Sequence, residues 1–400
     1  MPADRGLIAP VALAFFLAVF WLPLPLDLGL IGLTLGAAAA VLLAPEAGRS
    51  PWPWPDLLVV VFSATLALSI ARSGHPQLSL LLSSPFIPAV LIYLLLSRFV
   101  PAARGRWQVV VGLGLAAGWL ASIVLLGAVL YRVDPVSLIN QLAIPVLVVP
   151  NDVLLLSTCV PLILAAAFAA KTTGGTFVGL LSVALCLLAM VAVNSRAALL
   201  AAAIGVGIVL ALVVGRRAWR ILMWGAAGLF ALDGVRGFPL LAKFAQTPAC
   251  EPRLPLWGAA LRLWSERPLL GYGAHNYRDL YRDRVESLAL PVCSLTDGRI
   301  TPWPHNLFLE LLSSQGLVGA LALMALLAWG VNRSFRTARH AGATDRLLAA
   351  GLLGAFAAFV VAALLELTLL RYWVVIMTAT LVGLAATLTV PPAPPAGAAQ

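Results

Sequence analysis

Apolar runs long enough to cross a bilayer, separated by short polar, proline or glycine breaks, account for most of this chain. They predict spans near residues 6–22, 28–45, 57–71, 85–98, 108–131, 153–170, 175–193, 197–215, 220–237, 305–331, 347–365 and 373–390. Residues 238–304 interrupt the series. Between Arg132 and Asp152, prolines 135, 145 and 150 break a moderately apolar stretch into what reads as a re-entrant or surface-lying segment. The expected fold is an all-α polytopic membrane protein with about 12 transmembrane helices and one large loop containing short surface helices. It divides into nine spans over 1–237, the loop over 238–304, three spans over 305–390, and a low-complexity, disordered tail over 391–400.

Composition supports this division. With 62% hydrophobic and 10% charged residues and a mean hydropathy of +0.99, the chain lacks the roughly one-quarter to one-third charged surface of a soluble domain. Its formal charge of +10 is mostly arginine at span ends, which points to topology and to anionic phosphate or lipid rather than nucleic acid. The breaks at 98–106, 215–220 and 333–340 are basic. Placing these three inside puts Lys171 and both termini inside as well and turns the long loop outward, which in a bacterial inner membrane is the periplasm. No small-residue cleavage site follows the first apolar run, so that run reads as a span rather than a removed signal. Cys159 and Cys186 fall within apolar spans as small core residues. Cys250 and Cys293 flank the charged part of the loop and would form a disulfide in an oxidising compartment.

Charges at the outer ends of spans are the candidates for chemistry, because an ionised group there is costly without a partner. Arg196 follows Asn194-Ser195 at a turn between two very apolar runs, where it either binds an anion or snorkels to the interface. Arg371 raises the same question, with Tyr372 and Trp373 beside it as ordinary interface anchors. In the loop, Arg253-x3-Trp257-x3-Leu261-x2-Trp264 predicts a surface helix with Trp257, Leu261 and Trp264 on one face and Arg253 at its leading end. The guanidinium forks of Arg253, Arg262 and Arg267 match diphosphate oxygens, although for the last two a basic surface facing anionic lipid is the simpler reading. Of the four histidines, His275 follows a Gly-Tyr-Gly-Ala turn and His305 stands immediately before a span, with Asn306 next to it. A neutral imidazole there can take a proton from a hydroxyl; spacing alone favours a capping or interface histidine. The sequence contains no metal-spaced histidine pair, no phosphate-binding Walker loop and no serine-nucleophile elbow, and Gly271-Tyr-Gly273 reads as a tight turn.

Three motifs occur in order: Asn194-Ser-Arg196 opening a span, Arg253-x3-Trp257 leading into Pro268-Leu-Leu-Gly-Tyr-Gly273, and His305-Asn-Leu-Phe-Leu-Glu310 followed by Gly316-Leu-Val-Gly319. Together they resemble the bacterial O-antigen ligase and Wzy-type polymerase superfamily over roughly residues 190–330. The resemblance implies a membrane glycosyltransferase that uses neither nucleotide sugar nor metal nor other cofactor. Its donor would be a glycan on undecaprenyl diphosphate. Its acceptor would be a lipid A core sugar in a ligase, or another lipid-linked repeat in a polymerase. By position, Arg196 and Arg253 would hold the diphosphate and His305 would deprotonate the acceptor, with inversion at the anomeric carbon. Arg262, Arg371, His275 and Asn306 remain substrate-binding candidates. The His275-Asn276 pair departs from the pattern and competes with His305-Asn306. Ligase is the leading reading and polymerase the alternative. A lipid-linked oligosaccharide transporter is the reading outside enzymes, but transporters concentrate charge at the midplane of inverted repeats, whereas here it gathers at one face.

Overall fold

A computed structural model describes residues 54–99, 103–130, 153–244, 253–285 and 303–389. The first two expected spans, the 132–152 segment, Cys250, Cys293 and the 391–400 tail lie outside the described residues. The described residues form helices α1 (Trp54–Ala71), α2 (Pro76–Ser83), α3 (Phe86–Phe99), α4 (Ala103–Leu130), α5 (Leu154–Ala169), α6 (Thr173–Ala192) and α7 (Arg196–Val213). They continue as α8 (Ala218–Val235), α9 (Pro239–Phe244), α10 (Arg253–Glu266), α11 (Tyr277–Val285), α12 (Leu307–His340), α13 (Ala343–Leu365) and α14 (Tyr372–Ala386). Among the described residues, seven helical stretches are long and apolar enough to cross a membrane, and α5 and α14 are shorter apolar helices. The chain is a multi-pass membrane protein. The expected span at 220–237 forms a helix of the right length, α8, but Arg220 and Asp233 lower its hydropathy and it is not among the seven.

At the centre α13 packs against α5, α7 and α12. Small residues allow the close approach: a Cβ on Gly205 of α7 would stand 2.6 Å from Pro161 of α5 and 2.7 Å from the Gly354 carbonyl of α13. Where lipid already satisfies apolar surface, van der Waals fit at such small-residue contacts carries much of the association between helices. The basic stretch 333–340, expected as a loop, is instead the last turns of α12. There Arg333 donates to the carbonyls of Ala385 (2.9 Å) and Leu388 (2.5 Å), so the charge terminates α14 rather than opening a turn.

Near its start, α12 is broken at Gly316 (φ 70°, ψ −166°). The break frees backbone groups that cannot be left unpaired in a membrane protein. The turn Pro268–Gly273 takes them up. Tyr272 N–H donates to the Ser313 carbonyl (2.8 Å), Gly273 N–H to the Ser314 carbonyl (2.9 Å), and Leu317 N–H to the Pro268 carbonyl (2.8 Å). From α1, Ser69 Oγ also donates to the Ser314 carbonyl, at 2.9 Å. The expected tight turn at Gly271 and Gly273 is present, with φ of 63° and 109°. Two sequence motifs some forty residues apart are thus one backbone clamp, and the clamp fixes the first turns of α12.

Candidate active site

The site is built where α12 begins and α13 ends. Asn306 is the N-cap of α12: its Oδ1 accepts from Phe308 N–H (3.0 Å) and Leu309 N–H (3.1 Å). Its Nδ2 donates to the Leu364 carbonyl in the last turn of α13, at 3.0 Å. The preceding residue, His305, has φ 52°, a left-handed conformation in which histidine is several-fold enriched among non-glycine residues. Its imidazole Nδ1 lies 2.5 Å from Oε1 of Glu366, the C-cap residue of α13. The other carboxylate oxygen, Oε2, accepts from Arg253 Nη2 at 2.6 Å. Glu366 therefore joins His305 and Arg253, residues from opposite ends of the long loop, and it is only 9% exposed. Burial pushes its pKa up, but the hydrogen bonds from His305 and Arg253 and the positive charge of Arg253 outweigh burial and hold it below the ordinary carboxylate range.

Two further arginines belong to this end of the bundle. Arg371, at the N-cap of α14, lies 5.5 Å from the centroid of the Trp303 ring, and that ring lies 4.9 Å from the His305 imidazole. The 366–371 turn is held from below by Glu310, whose Oε2 accepts from Leu369 N–H at 3.2 Å. Arg196 opens α7, where Ser195 caps the helix by accepting from Ala198 N–H. Helices α7 and α13 are antiparallel: Gly205 faces Ala358, while Val209 faces Gly354. From the first contact, α7 runs nine residues back to Arg196 and α13 eight residues on to Glu366. At about 1.5 Å per residue both lie about 12–14 Å from it in the same direction. Arg196 and Glu366 are thus level at one end.

Other candidates are placed elsewhere. Arg262 sits on α10 beside Glu266 (3.7 Å), nine residues from Arg253. At about 100° per residue that spacing turns it to the opposite side of the helix, so the two do not form one clamp. His275, at φ 61°, bonds Ser83 Oγ through Nε2 at 3.1 Å rather than joining His305, and burial pulls its pKa down to about 4. Asn306 spends its amide on the cap and on Leu364. The face of α10 also differs from expectation: Leu256, Ala259, Ala260 and Leu263 are buried, whereas Leu261 is 45% exposed. The helix carries two apolar stripes, and the one with small alanines packs against α11 and α12.

Sequence comparison bears on the same region. Residues 181–324 match the family model described as O-antigen ligase. Over these residues, about a third of the chain, the protein is similar to the O-antigen ligase family. No curated protein matches the chain. The matched residues include Arg196, Arg253 and His305, and end before Glu366 and Arg371. Sequence reasoning passed over Glu366, although a signal was present: it is the only acidic residue after Asp345, at the end of a very apolar span. An acid in that position needs a partner, and two candidate partners had already been named.

Proposed function

We propose that the protein is an O-antigen ligase that transfers a glycan from undecaprenyl diphosphate to a sugar hydroxyl of the lipid A core, at the periplasmic face of the bacterial inner membrane. The observation that carries this reading is the joining of His305 and Arg253 through one buried carboxylate, within and beside a region similar to the ligase family. The acceptor hydroxyl gives its proton to the imidazole as its oxygen attacks the anomeric carbon. The carbon–oxygen bond to the diphosphate breaks on the opposite side, its electron pair leaves with the phosphate oxygen, and the anomeric configuration inverts. Arg253, Arg371 and Arg196 answer the negative charge that grows on the leaving group. Each preorganised donor of this kind contributes roughly 3–4 kcal/mol to a transition state, and proton abstraction contributes typically ~10²–10⁴-fold. Arginine serves here without a metal because its fork matches phosphate oxygens and its charge does not titrate away.

The test is complementation of a deletion in the source bacterium, read on lipopolysaccharide gels alongside extraction of lipid-linked glycan. The wild-type gene should restore O-antigen on the core. His305→Ala, Arg253→Ala and Arg196→Ala should leave bare core and polymer accumulated on the carrier, with folded protein at normal abundance. Core capped by a single repeat in the deletion strain would make the protein a polymerase, and an unchanged profile would remove it from this pathway. Normal ligation by a well-expressed His305→Ala variant would overturn the assigned base.

A further inference from the structure

We infer that Glu366 is a positioning residue that fixes the tautomer of His305 and couples its orientation to Arg253. This rests on the function proposed above, which names the reaction but gives Glu366 no part in it. The geometry argues for the role. The two oxygens of one carboxylate are divided between two partners, 2.5 Å from the imidazole Nδ1 and 2.6 Å from the Arg253 guanidinium. A guanidinium can only donate, so the carboxylate oxygen facing it must accept. An ionised carboxylate accepts at its other oxygen too, so the imidazole must present Nδ1–H. The lone pair of the neutral ring is then left on Nε2, which makes no hydrogen bond among the described residues. That is the atom free to receive the acceptor's proton. Once protonated, the imidazolium faces a negative charge already in place, and no side chain needs to move during proton transfer.

The surroundings fit a fixed arm rather than a mobile one. Glu366 caps α13 and is 9% exposed. Its turn is held by Glu310 at Leu369 N–H, and the residue next to His305 is tied to the Leu364 carbonyl, so the two partners are anchored to each other by backbone on both sides. Substituting the carboxylate with an amide makes a specific chemical prediction. In Glu366→Gln the carbonyl oxygen must serve Arg253, because the arginine can only donate. The amide NH₂ then faces His305 and requires Nδ1 as acceptor, which moves the ring proton to Nε2 and leaves no base toward the acceptor sugar.

The experiment uses the full-length protein in detergent micelles with ¹⁵N-labelled histidine rings, His305 being assigned by difference from His305→Ala. Wild-type protein should show His305 protonated at Nδ1 and Glu366→Gln should show it protonated at Nε2. In transfer assays with a lipid-diphosphate glycan donor, Glu366→Gln should lose kcat by at least about 100-fold while KM for the donor changes by less than about 3-fold. Glu366→Asp, which keeps the charge, should recover part of kcat. Gel filtration and melting of each variant separate this outcome from misfolding. A wild-type His305 protonated at Nε2 would overturn the inference, as would a Glu366→Gln variant with unchanged kcat. If wild-type protein transfers no glycan at all, the proposed function fails, while the ring spectra still decide whether Glu366 sets the tautomer.

Discussion

Two adjacent polar pairs, His275-Asn276 and His305-Asn306, look alike in sequence and are used differently, and the difference lies in what each imidazole meets. His305 meets a buried carboxylate; His275 meets a serine hydroxyl in surroundings that keep it neutral. For His275 the consequence is a pH-dependent stability. Its folded pKa, about 4, lies below the value near 6.5 of an unfolded chain. Protons therefore bind the unfolded state preferentially, and the stability present above pH 6.5 is lost progressively as pH falls toward 4. The loss is on the order of 3 kcal/mol at most. Apparent melting temperature measured in detergent from pH 7 to pH 4.5 should fall in the wild type and fall less in His275→Gln. Equal slopes would mean that His275 is not the group responsible. Asn306 gives a second prediction. Asn306→Ala removes the cap of α12, a change that costs about 0.5–2 kcal/mol, and also releases the Leu364 carbonyl. It should lower both melting temperature and transfer, whereas Asn306→Asp keeps the capping acceptor and should retain more of the stability.

At the scale of elements, the broken start of α12 and the turn inserted into it behave as one part. Gly316 sits in a backbone region that is essentially glycine-only, and a Cβ there would collide with the backbone of Leu269. Gly316→Ala should destabilise the protein by at least about 1–3 kcal/mol from backbone strain alone. Because the break sets the direction of the first turns of α12, transfer should fall as well. Gly228→Ala, inside α8 where a Cβ would meet nothing within 4 Å, is the control and should melt no lower than the wild type. The elements themselves were legible in the sequence: expected spans at 57–71, 85–98, 175–193 and 347–365 correspond to α1, α3, α6 and α13 to within a few residues. What periodicity could not supply was the choice between the two apolar stripes of α10, since hydrophobicity ranks them alike and only the size of Ala259 and Ala260 favours the buried one. The separation of Arg262 from Arg253 was within reach, because nine residues is two and a half helical turns. That Glu366 needs a partner was within reach as well, but the pairing itself was not, because Arg253 and His305 lie 113 and 61 positions from it in the chain.

For the molecule as a whole, the two ends of the bundle differ in charge, and that difference decides how it should sit in a membrane. One end gathers Arg98, Arg106, Arg216, Arg217, Arg333, Arg336, Arg339 and Arg346 around the ends of α3, α7 and α12 and the starts of α4, α8 and α13. At the other end, Arg72, Arg196, Arg236, Arg253, Arg262, Arg267, Arg278, Arg284 and Arg371 are mixed with Glu266, Asp279, Glu310 and Glu366, most of them in or beside the long loop rather than a short one. Short basic segments stay in the cytoplasm, so the first end should be cytoplasmic and the second, with the candidate site, should face the opposite side. On the proposed function, a lipid-linked donor would reach such a site from within the membrane and an acceptor would reach it from the aqueous side. The orientation can be read without any assay of activity. Cys159 and Cys186 are buried free thiols and should not react with a charged maleimide. With Cys250 and Cys293 replaced by serine, single cysteines at exposed Gly342, in the turn between α12 and α13, and at exposed Gln77, in α2 beside the clamp, report the two ends. Added to intact spheroplasts, the reagent should label Gln77→Cys and spare Gly342→Cys, and inverted vesicles should give the reverse. Labelling of Gly342→Cys in spheroplasts would place the site on the cytoplasmic face, where a periplasmic acceptor could not reach it.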